Sequence, residues 1–207
     1  MQGCCLPLSH SSPQVAKRGS TDTLRGTQLR FWGKAKMEIA GRVVLITGAS
    51  SGVGAALAEQ LAAMGARIVV NYSRSVDAAE TVVSRISEVG GLALAVQADV
   101  AEEADCKRLV AATLEQFGQI DILVNNAGTT TFVPHDQLDA LTEDIWLRTL
   151  RVNLIGAFMM SREAAPHIEA AGGGEIIMTS SIASMTANGS SIAYCASKAG
   201  MNSLTRT

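Results

Sequence analysis

Val43-Val44-Leu45-Ile46-Thr47-Gly48-Ala49-Ser50-Ser51-Gly52-Val53-Gly54 decides how the rest of this chain is read. Four consecutive apolar residues make a short strand of the kind buried on both faces of a parallel sheet. Val53, Leu57, Leu61 and Met64 then recur at helical spacing, and Gly65 ends the helix. Glycines between a strand and a helix let the backbone approach an anion, which the helix N-terminus holds with its free N–H groups. The pyrophosphate of a dinucleotide is the ligand for such a loop. Gly48, Gly52 and Gly54, with Ser50, Ser51 and Val53 among them, are therefore candidate cofactor residues. Taken alone, the glycines read equally well as a tight turn that needs small residues.

Downstream, short apolar runs alternate with helical patterns, the sign of βαβ units and a parallel sheet. Strands are expected at Ile68-Val69-Val70, at 92–97, at Ile122-Leu123-Val124 and at Glu175-Ile176-Ile177-Met178. Helices are expected through Val82, Val83, Ile86 and Val89, and from Cys106 to Phe117. A long helix is expected from about Glu143 to Ala164, ending near Pro166, and another from Ile192 onward. The pattern predicts a Rossmann-type, doubly wound α/β domain with strand order 3-2-1-4-5.

Composition narrows the function classes. The 207 residues suffice for one domain with its own core. Residues 1–36 carry six Lys/Arg and one Asp, so the remainder is acidic, with a net charge of −7. An acidic body without a basic stripe argues against nucleic-acid binding, and no apolar run reaches membrane-spanning length. Cys4, Cys5, Cys106 and Cys195 lack metal or disulfide spacing, which points to a reducing, cytoplasmic setting. His10, His135 and His167 are scattered, and no metal site is expected. The Ser-, Thr- and Arg-rich leader, 1–36, has three open readings: a disordered tail, an organelle-targeting peptide, or sequence upstream of a start at Met37. On each of them the catalytic domain is 37–207.

The second cofactor determinant follows the second strand. An acidic residue there would bind ribose hydroxyls and repel a 2′-phosphate. Asn71-Tyr72-Ser73-Arg74-Ser75 stands there instead. Arg74 can pair with a phosphate, with Asn71 and Ser73 adding hydrogen-bonding groups, and this favours NADP (NADPH) while leaving NAD open. A solvated Arg74 near a helix start is the bland alternative.

Near the end stand Tyr194-Cys195-Ala196-Ser197-Lys198 and, thirteen residues before the tyrosine, Ser181. Residues four apart on a helix share a face, so the Lys198 cation can favour ionisation of the Tyr194 phenol. Such a tyrosine exchanges a proton with a carbonyl or alcohol oxygen. The spacing alone is weak evidence. Thr47-Gly-x-x-x-Gly-x-Gly54, Asn125-Asn126-Ala127-Gly128, Asn153, Ser181 and Tyr194/Lys198 together, in this order, resemble the short-chain dehydrogenase/reductase family from about residue 38 to the last. Within it the chain is similar to the 3-oxoacyl-carrier-protein reductases.

The resemblance implies a small-molecule carbonyl or alcohol substrate, a nicotinamide cofactor and a homo-oligomer. It makes Tyr194 the general acid, Lys198 the holder of the ribose, and Ser181 the partner of the reacting oxygen. Asn153 would hold a water linking Lys198 to solvent for proton return. Asp99 and Val100 would contact the adenine, with Asn126, Ala127 and Gly128 lining the adenosine side. Without the family, Asp99 reads as a helix cap and Asn153 as a tolerated polar residue in a helix. Ser51 departs from the basic residue of many NADP-preferring members. Family members also continue past the lysine with a sixth and a seventh strand and a substrate-covering segment, which are missing here. Two expectations follow: a reductase whose record is incomplete, or a truncated, weakly active form that binds nucleotide or pairs with full-length relatives.

Overall fold

A computed structural model describes residues 38–188 and 190–207. The leader, 1–36, and Met37 lie outside the described residues. Strands β1 (Val43–Ile46), β2 (Arg67–Tyr72), β3 (Leu92–Gln97), β4 (Ile122–Asn125) and β5 (Glu175–Met178) form one parallel sheet in the order β3-β2-β1-β4-β5. This is the expected order. Helices α1 (Gly52–Ala63), α2 (Val76–Glu88) and α3 (Glu103–Phe117) connect the first four strands. A 3₁₀ turn (Leu138–Ala140), α4 (Glu143–Leu150), a π-helical turn (Arg151–Ile155) and α5 (Gly156–Ala170) lead to β5. Helices α6 (Ala183–Thr186) and α7 (Ile192–Arg206) follow.

Alternation along the strands divides the core into two layers, because successive side chains face opposite sides of a sheet. Leu45, Val69 and Leu123 pack with Leu109 of α3 and Met160 and Ala164 of α5. Val44, Ile46, Ile68 and Val70 pack on the other side with Ala58 and Ala62 of α1 and Val82 and Ile86 of α2. Both faces of β1 are covered, which is why its sequence is an unbroken apolar run.

The long helix differs from expectation in two ways. It is interrupted by the π turn centred on Asn153, and it continues through Pro166 to Ala170. Pro166 is exposed, so the carbonyl deprived of its helical N–H partner can be hydrated instead. Gly172 and Gly173, both at positive φ, provide the actual stop.

Asp121 ties the amino ends of β1 and β4 together. Its carboxylate accepts bonds from the Val43 N–H at 2.8 Å, the Arg42 guanidinium at 2.7 Å and the Gln119 amide at 2.7 Å. Burial pushes the carboxyl pKa up, but these donors together outweigh it and hold it below the ordinary value. The carboxylate therefore contributes stability above an unfolded-state pKa near ~3.9, lost as pH falls through the lower folded value. Asp121→Asn should cost about 1.5–3 kcal/mol at neutral pH, the scale of hydrogen bonds to a charged group. Urea unfolding at neutral pH and near pH ~3 checks this, the gap from the unsubstituted chain narrowing in acid.

Candidate active site

The strand order reverses between β1 and β4, and the carboxyl ends of these strands frame a cleft of about 660 Å³. Its position is the switch-point crevice where open α/β sheets bind ligands. Its lining includes Gly48, Ser50, Ser51 and Val53 of the glycine loop, Asn71 near the end of β2 with Ser73 and Arg74 after it, Asp99 and Val100 after β3, and Asn126, Ala127 and Gly128 after β4. Among the expected cofactor residues, Gly52 and Gly54 lie in the loop and helix start just behind, and Tyr194 and Lys198 lie on α7.

The glycine loop is shaped by close backbone approaches. Gly48 adopts φ +61°, and a Cβ there would come within 2.8 Å of the Ala127 Cα. A Cβ on Gly54 would meet the Asn126 Nδ2 at 2.5 Å and the Gly48 carbonyl at 2.6 Å. Asn126 Nδ2 donates to the Thr47 and Gly48 carbonyls, each at 3.0 Å. The Thr47 hydroxyl accepts from the Asn126 and Ala127 N–H groups. Ser51 at the N-cap of α1 makes no side-chain capping bond, and the first turn holds no acidic residue. The helix N-terminus is thus available to an anion.

Asn71 does more structural work than its sequence position suggests. Its Oδ1 accepts from the Gly48 N–H at 3.1 Å, and Nδ2 lies within bonding distance of the Tyr72, Val96 and Ala98 carbonyls. It is almost fully buried, so it braces the glycine loop against β3. Arg74 is exposed on the cleft rim. Asp99 accepts from the Ala101 N–H at 3.0 Å and from the Arg148 guanidinium at 3.1 Å. The first of these bonds caps the β3–α3 turn ahead of α3.

The catalytic candidates occupy α7, the π turn and the loop after β5. Lys198 is buried with 3% exposure, and burial lowers its pKa. Its Nζ donates to the Thr179 carbonyl at 2.6 Å and sits 5.8 Å from the centre of the Tyr194 ring. Asn153 is fully buried: Oδ1 accepts the Thr129 N–H at 2.7 Å, and Nδ2 donates to the Thr129 carbonyl and to Ser197 Oγ, both at 2.9 Å. Its carboxamide is thus largely committed to protein partners. A Cβ placed on Gly128 would stand 3.6 Å from Asn153 Oδ1 and 3.7 Å from Lys198 Nζ. The cleft and the lysine therefore meet at Gly128.

Ser180 and Ser181 both lie beyond the end of β5 at Met178, so strand alternation does not separate them. Their hydrogen bonds do. Ser180 Oγ donates to the Lys198 carbonyl at 3.4 Å, whereas Ser181 Oγ accepts the Ala183 N–H at 3.2 Å and keeps its proton for another partner. Ser181 borders a second cleft of about 610 Å³, with Met178, Met185 and Asn202.

Cys195 is buried, as a packing residue would be. Burial, with nearby Asp105, Glu163 and Asp99 adding to it, pushes the Cys106 thiol up to about 11, which keeps it protonated and unreactive. Among the described residues no three His, Cys, Asp or Glu side chains gather as a metal site. No described helix is long and apolar enough to cross a membrane.

The sequence profile described as short chain dehydrogenase matches residues 42–207. The chain belongs to the short chain dehydrogenase family. It is 44% identical over 164 residues to a protein assigned as ketoacyl reductase 2 of the granaticin polyketide synthase in Streptomyces violaceoruber, covering 79% of this chain and 64% of that one. A 3-oxoacyl-[acyl-carrier-protein] reductase of Synechocystis is 39% identical over 169 residues, covering 82% and 67%. A metagenomic short-chain oxidoreductase solved in complex with NADP superposes with a TM-score of 0.74 at 34% identity, covering 81% of this chain and 74% of that one. An NADH-dependent reductase of alginate metabolism superposes at 0.75 with 32% identity, covering 81% and 70%. The chain spans about half to two thirds of the length of the curated relatives it matches.

Thr47 and Ser197, although they stand within the quoted motifs, and Arg148 were given no site role by the sequence reading. Thr47 carried a usable signal, a hydroxyl residue at the strand end before the first glycine. Ser197 and Arg148 act through pairs distant in sequence and carried none.

Gly54→Ala should displace the Asn126 amide and cost about 1–3 kcal/mol, the usual scale of overpacking. Gly41→Ala, at positive φ with nothing within 4 Å of the added methyl, gives the separate cost of backbone strain, which Gly54 in α1 does not carry. Thermal unfolding of both variants checks this, with the larger loss at Gly54.

Proposed function

We propose that this chain carries the nucleotide and proton-transfer machinery of an NADPH-dependent oxidoreductase that interconverts a carbonyl and a secondary alcohol, a 3-oxoacyl thioester being one candidate substrate. The observation that carries the reading is the convergence at Gly128, where one end of a dinucleotide-sized cleft meets Lys198 and Asn153. The open space beside Gly52, where an added Cβ would meet no protein atom within 4 Å, and the uncapped start of α1 fit a pyrophosphate, while the close approaches at Gly48 and Gly54 hold the loop in shape.

A bound nicotinamide would supply the hydride, and the remaining tasks fall to the chain. Tyr194 donates the proton that the substrate oxygen takes up as the carbonyl is reduced. Ser181, whose hydroxyl proton is free of the Ala183 contact, hydrogen-bonds that oxygen where negative charge develops. Lys198, already desolvated, holds the ribose, its Nζ 5.8 Å from the centre of the Tyr194 ring. Asn153 fixes the Thr129 backbone and the Ser197 hydroxyl, and Ser197 in turn donates to the Tyr194 carbonyl at 2.7 Å. This makes Asn153 chiefly a positioning residue, and any relay water needs its remaining lone pair or the main chain. Asp99 and Val100 border the adenine.

The NADP preference rests on Arg74 at the cleft rim and is supported by the NADP complex of the metagenomic relative. The ketoacyl and 3-oxoacyl reductase names of two relatives support the thioester substrate. Leu147, Ile155 and Phe158, exposed by 51, 45 and 46% along α4–α5, support assembly as a homo-oligomer through this helix.

A second reading, nucleotide binding with weak turnover, is favoured by a separate observation. Ser181 borders a cleft distinct from the one lined by the glycine loop, so the reacting oxygen has a less enclosed setting than the nucleotide.

Fluorescence titration of NADPH and NADH into the 207-residue chain separates these readings from failure. Saturable binding that favours NADPH is expected, and Arg74→Ala should erase the preference, a change of roughly tenfold or more for loss of a charge-assisted phosphate contact. Equal affinity for both nucleotides before substitution would overturn the NADP assignment. Where turnover of a 3-oxoacyl thioester is measurable, Tyr194→Phe should lower kcat by about 10²–10⁴-fold and leave the NADPH Kd nearly unchanged.

A further inference from the structure

The Asp99–Val100 corner at the end of β3 is gripped twice by the long interrupted helix. From the last turn of α4, Nη1 and Nη2 of Arg148 both reach Asp99 Oδ2 at 3.1 Å. From the first residue of α5, Gly156 backs onto the corner so closely that a Cβ would lie 2.7 Å from the Val100 carbonyl. The other Asp99 oxygen is taken by the Ala101 N–H, and its own N–H donates to Asp105 Oδ2 at 2.8 Å. The carboxylate thus has a fixed direction at the cleft wall.

The Arg148–Asp99 pair is partly exposed, 43% and 31% for the two side chains, and pairs of this kind add little to stability. Its consequence is electrostatic. The charged residues lining the cleft are Arg74, Arg148 and Asp99. Without Arg148, Asp99 would face the cleft as an unpaired anion, and the lining would lose its net positive charge. A polyanionic ligand would then meet repulsion that strengthens as it displaces water from the cleft.

We propose that Arg148 is a positioning residue for the dinucleotide: it orients the Asp99 carboxylate at the cleft wall and neutralises it, so that the cleft accepts a polyanion. The inference rests on the nucleotide-binding reading above. It assigns Arg148 no contact with the reacting atoms and predicts a defect confined to nucleotide affinity.

The test titrates NADPH, by its fluorescence, into the unsubstituted 207-residue chain and into Arg148→Ala, Arg148→Lys and the double variant Asp99→Asn/Arg148→Ala. The unfolding midpoint of each is measured without ligand. Arg148→Ala should weaken NADPH about tenfold, the scale of one charged hydrogen bond. Arg148→Lys should fall between, keeping the charge but not the planar fork. The double variant should bind more tightly than Arg148→Ala, because no unpaired carboxylate is left, even though Asp99 itself borders the adenine site. An unchanged Kd in Arg148→Ala overturns the inference and leaves nucleotide binding intact. A loss that the double variant does not repair, accompanied by a lower midpoint, overturns it in favour of a purely structural role. If Arg148→Ala does not fold, the other two variants decide by the same comparison. No NADPH binding by the unsubstituted chain would overturn the function proposed above and this inference with it.

Discussion

The knot between Thr47–Gly48 and Asn126–Ala127 is the constraint on which the rest of the site depends. Two N–H groups converge on the Thr47 hydroxyl, and one amide nitrogen reaches back to two carbonyls just past the end of the first strand. These bonds cross the point where strand order reverses, so they set the gap between β1 and β4 that becomes the cleft. The glycine loop can approach an anion because Asn126, rather than a side chain of its own, satisfies its inward carbonyls. Asn71 performs the matching task on the β2 side. The loop is therefore held open from both flanks before any ligand arrives, and little ordering entropy is left to be lost on binding.

A buried lysine stands at the other end of the same cleft. Lys198 gains a short bond to Thr179 and loses hydration, a combination that leaves its charge costly to bury. Strain of this kind is tolerated where function needs it. The π turn contributes to the same end. By inserting one residue into the helix it brings Asn153 into the interior, where a single carboxamide joins the loop after β4 to α7.

Much of this was legible in the sequence because it depends on local pattern. Strand order, the position of every strand and the glycine loop follow from apolar runs, helical spacing and glycine placement, all encoded within short windows. Tyr194, Lys198 and Ser181 were singled out by the family resemblance, their spacing alone being weak evidence, and they lie on α7 and in the loop after β5. The features that were not legible depend on contacts distant in sequence. Pro166 suggested a helix end, yet its exposed side of α5 lets water replace the lost bond. Periodicity could not show the π turn, because a one-residue insertion looks like noise in an apolar pattern. Asn71 was read as a ligand group from its position after the expected second strand; it lies within β2 and lines the cleft, and its burial also makes it a brace, which the sequence did not show. Arg148 looked like any charged residue on a solvated helix, since its partner lies 49 residues away.

The π turn also determines how this region tolerates changes in length. Removing one residue from 151–155 would permit an unbroken α-helix, a locally better hydrogen-bonded arrangement. A π turn takes one residue more than an α turn for about the same rotation, so α5 would keep nearly its present phase relative to α4. Met160, Ala164 and Ile168 would still face the layer packed on Leu45 and Leu123, but the bulge that carries Asn153 into the interior would be gone. A change that improves the helix would thus untie the loop after β4 from α7, whereas the same deletion in the regular turns of α5 would rotate everything after it by about 100°. Deletions are governed by helical phase in the regular turns of α5, and by the place of Asn153 in the irregular one.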